Sequence, residues 1–162
     1  MDATLVPYRG QREAGLWSLK RAFERELGTL GDKADSYEGK LTDGYRERYL
    51  AWVERCVEEE PGCVTLAVVE GEPVGYAFVL PESLAMVWDA AVLNELYVAP
   101  DHRRAGVAEA LLDDAREHAR GQSLPLERLV LDVAPDNEPA RAFYERYGFE
   151  PWGEMVAVGL QP

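Results

Sequence analysis

The chain has 162 residues, 47% of them hydrophobic, with 17 basic against 30 acidic side chains and a net charge of −13. That length suits one domain with enough apolar content to bury a core, which excludes a disordered chain, and no apolar run approaches the roughly 18 residues needed to cross a bilayer. The negative field disfavours nucleic acid and anionic membranes as partners and favours cationic substrates. Only Lys20, Lys33 and Lys40 are lysines. An acid-rich, lysine-poor composition also suits a protein kept soluble in high salt by hydrated carboxylates, so charge alone does not choose between the two readings. The first ten residues carry no basic and then apolar leader pattern, and a cytoplasmic address is expected.

In chain order, Thr4–Val6 reads as a short strand before Pro7. Gln11–Leu27 reads as a helix, with Leu16, Leu19, Phe23 and Leu27 on one face and Gly28 as its C-cap. Gly28–Leu41 has glycines and no periodicity, so a flexible loop is predicted. Asp43–Glu59 is a second helix, ended by Pro61-Gly62. Cys63–Val69 and Val74–Leu80 flank Glu70-Gly71-Glu72 and read as a hairpin. Pro81–Ala85 is a loop, and Met86–Val98 contains a long strand. Val107–Arg120 is an amphipathic helix closed by Gly121. Leu129–Val133 is a core strand, and Glu138–Tyr147 a last helix closed by Gly148. Phe149–Leu160 reads as one final strand or two short ones. The order β-α-α-β-β-β-α-β-α-β implies an α/β sheet covered by helices, mixed because of the hairpin, in a single domain spanning 1–162. Cys56 and Cys63 sit in apolar contexts and read as buried thiols. His102 and His118 have no ligand cluster around them, so no metal is expected.

The most informative stretch is Leu93–Ala119, LNELYVAPDHRRAGVAEALLDDAREHA. A strand runs into Pro100, a basic turn follows, and a helix begins. The first helical turn offers unpaired N–H groups and the positive end of the macrodipole, so this unit makes an anion cradle. Arg103 and Arg104 beside it suit a pyrophosphate. Gly106 lets backbone approach a bulky anion, and Ala108 keeps the first turn open. Neither a P-loop nor a dinucleotide-binding glycine motif is present.

Val98, Pro100, Arg103, Gly106 and Ala108, followed by Leu111-Leu112, resemble the acyl-CoA-binding signature of the GNAT superfamily of N-acetyltransferases. A second stretch, Leu131-Asp132-Val133 with Asn137 and then Ala140, Phe143, Tyr144, Gly148 and Phe149, resembles that family's other motif. The resemblance implies an α/β fold with a mixed, mostly antiparallel central sheet of about six to seven strands and about four helices. It implies acetyl-CoA as cofactor, with CoA as product. The backbone of Arg103, Arg104, Ala105, Gly106, Val107 and Ala108 would hold the pyrophosphate. The strand Leu93–Val98 would carry a bulge and splay from Leu129–Val133. Pantetheine would lie in that gap against Leu96, Tyr97 and Val98, pairing with the backbone of Leu96 and Val98, and Asn137 would contact the pantetheine arm or a nearby water.

The implied reaction is acyl transfer from thioester sulfur to a primary amine of a small molecule, amino acid, polyamine or peptide. Tyr144 is the candidate acid for the leaving thiolate. Glu95 is the candidate base or ammonium ligand. It shares its strand with Asn94, which stands where several family members have a glutamate and cannot take a proton. Successive strand residues face opposite ways, so both cannot point at the substrate. Tyr37, Tyr45, Tyr49 and Trp52 either line an amine site or form the buried face of a helix. The alternative function is a non-catalytic acyl-CoA-binding sensor or interaction module. A homodimer would use the terminal strand Phe149–Leu160 as its edge.

Overall fold

The computed structural model describes residues 2–30 and 34–161. Residues 31–33 of the expected loop therefore lie outside the described residues. The chain divides into two compact units, Met1–Asp132 and Val133–Pro162.

The first unit holds a five-stranded sheet whose spatial order follows the chain: β1 (Thr4–Pro7), β2 (Val64–Val69), β3 (Glu72–Val79), β4 (Ala91–Val98) and β5 (Leu129–Val130). All neighbours are antiparallel except β4 and β5, which run parallel. The hairpin turns at Glu70 and Gly71, whose φ angles of 51° and 83° match the twist of the flanking strands. Every residue of β2 is buried because both faces of the sheet are covered. On one face, Leu66, Tyr76, Phe78 and Tyr97 pack with Leu16, Trp17 and Phe23 of α1 (Glu13–Gly28) and with Tyr49 and Val53 of α3 (Asp43–Glu59). On the other lies α5 (Val107–Arg120), with Leu111 against Gly75. A Cβ at Gly75 would stand 2.8 Å from the Tyr97 carbonyl oxygen of β4 and 3.3 Å from Leu111 of α5, so the close approach of both neighbours depends on that glycine.

Two helices appear where loops are predicted. Ala34–Lys40 is α2, and Glu82–Ala85 is a single turn, α4. The glycines of the first segment obscured it: α2 buries no residue, so it carries no apolar period to read. It is held instead from α1, by the Arg25–Glu38 ion pair at 3.1 Å and by Tyr37 packing beside Gly28. With α6 (Glu138–Tyr147) the described residues hold six α-helices and five strands, which corrects the expectation of four helices and six to seven strands. The strand count falls because Phe149–Leu160 forms no strand among the described residues; Leu129–Val133 keeps its strand, with the ladder shortened to Leu129–Val130. Met155, Val156, Val158 and Leu160 are 67–97% exposed, so among the described residues no burial or ladder compensates for ordering that backbone.

Cys56 and Cys63 are free, buried thiols. Burial pushes their pKa values up to about 11 and about 12, respectively. Among the described residues no helix is long and apolar enough to cross a membrane, and no cluster of His, Cys, Asp or Glu is placed to hold a metal ion.

The second unit contains α6. Asn137 caps its start, with Oδ1 accepting from the Ala140 N–H at 3.3 Å. Gly148, at φ 115°, closes its end, and the Tyr144 carbonyl accepts from the N–H groups of Gly148 and Phe149.

Candidate active site

Parallel pairing between β4 and β5 is confined to Ala91↔Leu129 and Val92↔Val130. Beyond that point β4 runs on to Val98 without β5 beside it. The divergence coincides with an irregularity. Glu95 pairs with Phe78 and Leu93 with Val79, which leaves Asn94 as the extra residue of a β-bulge. This is the bulge that the resemblance implied.

The ladder fixes which backbone groups face the open edge. Ala99 donates to the Val74 carbonyl on β3 at 2.8 Å. By alternation, Tyr97 and Glu95 also direct their N–H and C=O groups toward β3, while Leu96 and Val98 direct theirs outward. The Val98 carbonyl is already taken: the Arg103 side chain donates to it from Nε at 2.8 Å. Among the described residues the Leu96 N–H and C=O and the Val98 N–H therefore remain to pair with an extended guest. Tyr97 turns its side chain inward onto Phe23, at 5.3 Å between ring centroids, so it reaches the open edge with neither backbone nor ring.

β4 leads through a short 3₁₀ turn (Pro100–His102) into the start of α5. Arg104 at φ 63° and Gly106 at φ 85° are both left-handed. Two such residues around Ala105 curl the backbone so that successive N–H groups can converge on one anion. No side chain caps α5, and among the described residues nothing beyond its own chain neighbours lies within 4 Å of where a Gly106 Cβ would be. The first-turn N–H groups of α5 are thus left without a side-chain cap. The two arginines divide. Arg104 is exposed. Arg103 turns back, placing its guanidinium 2.7 Å from Glu26 of α1 and 5.4 Å from the Tyr97 ring centre. It braces the turn and is already neutralised, so the cradle relies on backbone N–H groups and Arg104.

Glu95 leaves β4 on the opposite side from Leu96 and ends in a buried charge cluster. Its Oε1 accepts from the Tyr49 hydroxyl at 2.6 Å, and its Oε2 pairs with Lys20 Nζ at 2.5 Å. Lys20 also pairs with Glu24, one helical turn on, and lies 4.8 Å from the centre of the Tyr49 ring. All four residues are buried. Burial works to lower the Lys20 pKa, but the Glu95 and Glu24 charges outweigh it, and the ammonium is held above its ordinary range. Burial, followed by the Glu95 charge, pushes the phenol of Tyr49 well up, so it stays a donor. The ammonium that Glu95 binds in this fold is the chain's own. Asn94 is exposed at the bulge.

Sequence reasoning passed over Lys20 and Glu24. Their signal was present: Lys20 falls four residues after Leu16 and three before Phe23, a charge on the apolar stripe of α1. In the second unit, Tyr144 is half-buried against Phe143 and Phe149, at ring-centroid distances of 5.3 and 5.5 Å. Burial pushes its phenol up to about 12, so at neutral pH it holds its proton. Asn137 spends its side-chain oxygen on the helix cap.

Residues 23–149 match the model of the acetyltransferase (GNAT) family. An uncharacterized N-acetyltransferase of Bacillus subtilis, YhfO, is 30% identical over 120 residues, which cover 68% of this chain and 79% of that protein. An uncharacterized N-acetyltransferase of Methanocaldococcus jannaschii is 30% identical over 104 residues, 63% of this chain; the match spans 44% of that longer protein. The fold is similar to that of the PaiA N-acetyltransferase from Thermoplasma acidophilum in complex with coenzyme A, with a TM-score of 0.76 at 16% identity over 93% of this chain and 91% of that one.

Proposed function

Since the chain belongs to the acetyltransferase (GNAT) family, we propose that it moves an acetyl group from acetyl-CoA to a primary amine by direct attack. The observation that carries this reading is the divergence of β4 from β5 at the Asn94 bulge, next to an uncapped helix N-terminus. Pantetheine fits the open edge as an added strand, on the outward backbone groups of Leu96 and Val98. The pyrophosphate fits the turn from Arg103 to Ala108, with Arg104 as the free cation. Both placements use backbone N–H groups that have no partner among the described residues. Bound acetyl-CoA supplies the activated thioester.

The chain's own groups supply the rest. Tyr144, which its raised pKa keeps protonated, would give its O–H proton to the leaving sulfur as the amine displaces it from the thioester carbon, and would regain through water the proton that the acylated nitrogen releases. A backbone N–H on the β4 edge polarises the carbonyl. Glu95 acts as a positioning residue in this scheme, because its carboxylate is engaged by Lys20 and Tyr49. The acceptor then loses its proton to water. An amine of pKa near 10 is only about 0.1% neutral at pH 7, so the rate should climb with pH toward the acceptor's own pKa. A cytoplasmic address accompanies this reading, where acetyl-CoA is at hand.

Incubation with acetyl-CoA and a panel comprising an alkylamine, a polyamine, an amino acid and a peptide with a free N-terminus tests the function. CoA thiol should appear only when an accepted amine is present. Retention of acetyl-CoA with no thiol release by any amine would replace the reading with that of an acyl-CoA-binding module. The cradle has its own test. Gly106→Ala puts a side chain into the open space and strains a left-handed position, and should weaken CoA binding by about tenfold in Kd by calorimetric titration. An unchanged Kd would move the pyrophosphate elsewhere.

A further inference from the structure

Glu24 has two oxygens and two cations, and the cations are not equivalent. Oε1 faces Lys20, which is buried and shared with Glu95. Oε2 is also buried and accepts no hydrogen bond of good geometry among the described residues; its ion-pair partner there is Lys40 Nζ at 2.8 Å. Lys40 differs from Lys20 in every respect that governs exchange. Its side chain is 37% exposed. It is the last residue of α2, a seven-residue helix that buries nothing. Its ammonium lies 4.9 Å from the Tyr37 ring centre and 5.5 Å from that of Tyr45. Two aromatic faces and one carboxylate oxygen form the surroundings that a primary alkylammonium seeks: the rings attract the charge, and the oxygen takes an N–H.

Charge counting makes the site exchangeable rather than empty. With Lys20 and Lys40 against Glu24 and Glu95, the cluster is neutral and has no attraction left for a further cation. If Lys40 withdraws, a buried carboxylate oxygen is left unpaired, which is costly unless another cation replaces it. Withdrawal and replacement are thereby coupled, and the incoming group must carry both a positive charge and an N–H.

We infer that the Tyr37–Tyr45–Glu24 cage takes the primary ammonium of a ligand in exchange for the ammonium of Lys40. As the acceptor's docking point this rests on the acyl-transfer reading; as a binding site it does not. A ligand with two amines fits best, one held here as ammonium and one free to react. A quaternary ammonium lacks the N–H for Glu24, and a neutral alcohol lacks the charge.

The probe is n-butylammonium, which copies the lysine side chain, titrated without acetyl-CoA and followed by tyrosine fluorescence and amide chemical shifts in α1, α2 and α3. Lys40→Met should bind it at least about tenfold tighter than the parent does, because the internal competitor is gone. n-Butanol and tetramethylammonium should gain nothing, and Tyr37→Leu added to Lys40→Met should remove the gain. Lys40→Gln serves the same purpose if the methionine variant does not fold. A parent-like melting curve with no gain in n-butylammonium affinity would overturn the inference, as would an equal gain for n-butanol. Because acetyl-CoA is absent, these outcomes stand whether or not the amine panel releases thiol.

Discussion

Tyr144→Phe should lower turnover by about 10- to 10⁴-fold while leaving acetyl-CoA affinity near the parent value. The ring is retained, so the contacts with Phe143 and Phe149 persist and α6 keeps its packing. What is lost is a single O–H whose pKa stands at about 12. A leaving thiolate then has to find its proton in water. The split between kcat and Kd is the informative readout: a packing defect would disturb both, whereas loss of a proton donor falls on kcat. Unchanged turnover would end the role of Tyr144 as acid.

Lys20→Met should be the most destabilising single change in the first unit, by about 3–5 kcal/mol, because it leaves two carboxylates buried without their shared cation. Denaturant midpoints would read this directly. The companion variant Lys20→Met/Glu24→Leu/Glu95→Leu removes the charges together and should recover much of the loss, since a buried ion cluster contributes little beyond an apolar core of similar volume. Failure of the triple variant to recover would mean that the cluster specifies the packing of α1 on β4. The pH dependence follows from the same groups. Burial tends to raise the Glu24 pKa, but Lys20 outweighs it, so the folded value lies below the ordinary 4.5. Its stabilisation is present above that pH and is lost as pH falls through the folded value. The folded Lys20 pKa lies above the ordinary 10.5, so its stabilisation is complete below that pH and is lost only as pH rises through the raised value. The cluster should contribute evenly across the neutral range and fail first in acid.

The turn at the start of α5 and the hairpin were legible in sequence because each depends on local chemistry, whereas the bulge was expected only from the family resemblance. Gly106 and Gly71 occupy left-handed positions, and β2 and β3 are rich in β-branched and aromatic residues on either side of the Glu70-Gly71 turn. Tertiary context decided the rest. Arg103 and Arg104 look alike as neighbours in a basic turn, yet a glutamate 77 residues earlier in the chain takes one and leaves the other. Glu95 looked like a free carboxylate because its partners, Lys20 and Tyr49, lie 75 and 46 residues away. α2 was hidden because it is held by two ion pairs, Arg25–Glu38 and Glu24–Lys40, and one ring rather than by an apolar face. The terminal segment carries apolar residues but forms no strand among the described residues.

The two buried thiols have a practical consequence at the bench. With pKa values of about 11 and about 12, Cys56 and Cys63 are almost wholly uncharged at pH 8, and the thiolate is the reactive form. A chromogenic disulfide reagent added to the folded enzyme should therefore report released coenzyme thiol against a nearly silent background. The same silence makes the chain a convenient host for site-directed labelling: a cysteine introduced on any exposed helix position would take up a fluorophore alone, with no need to remove the native pair first.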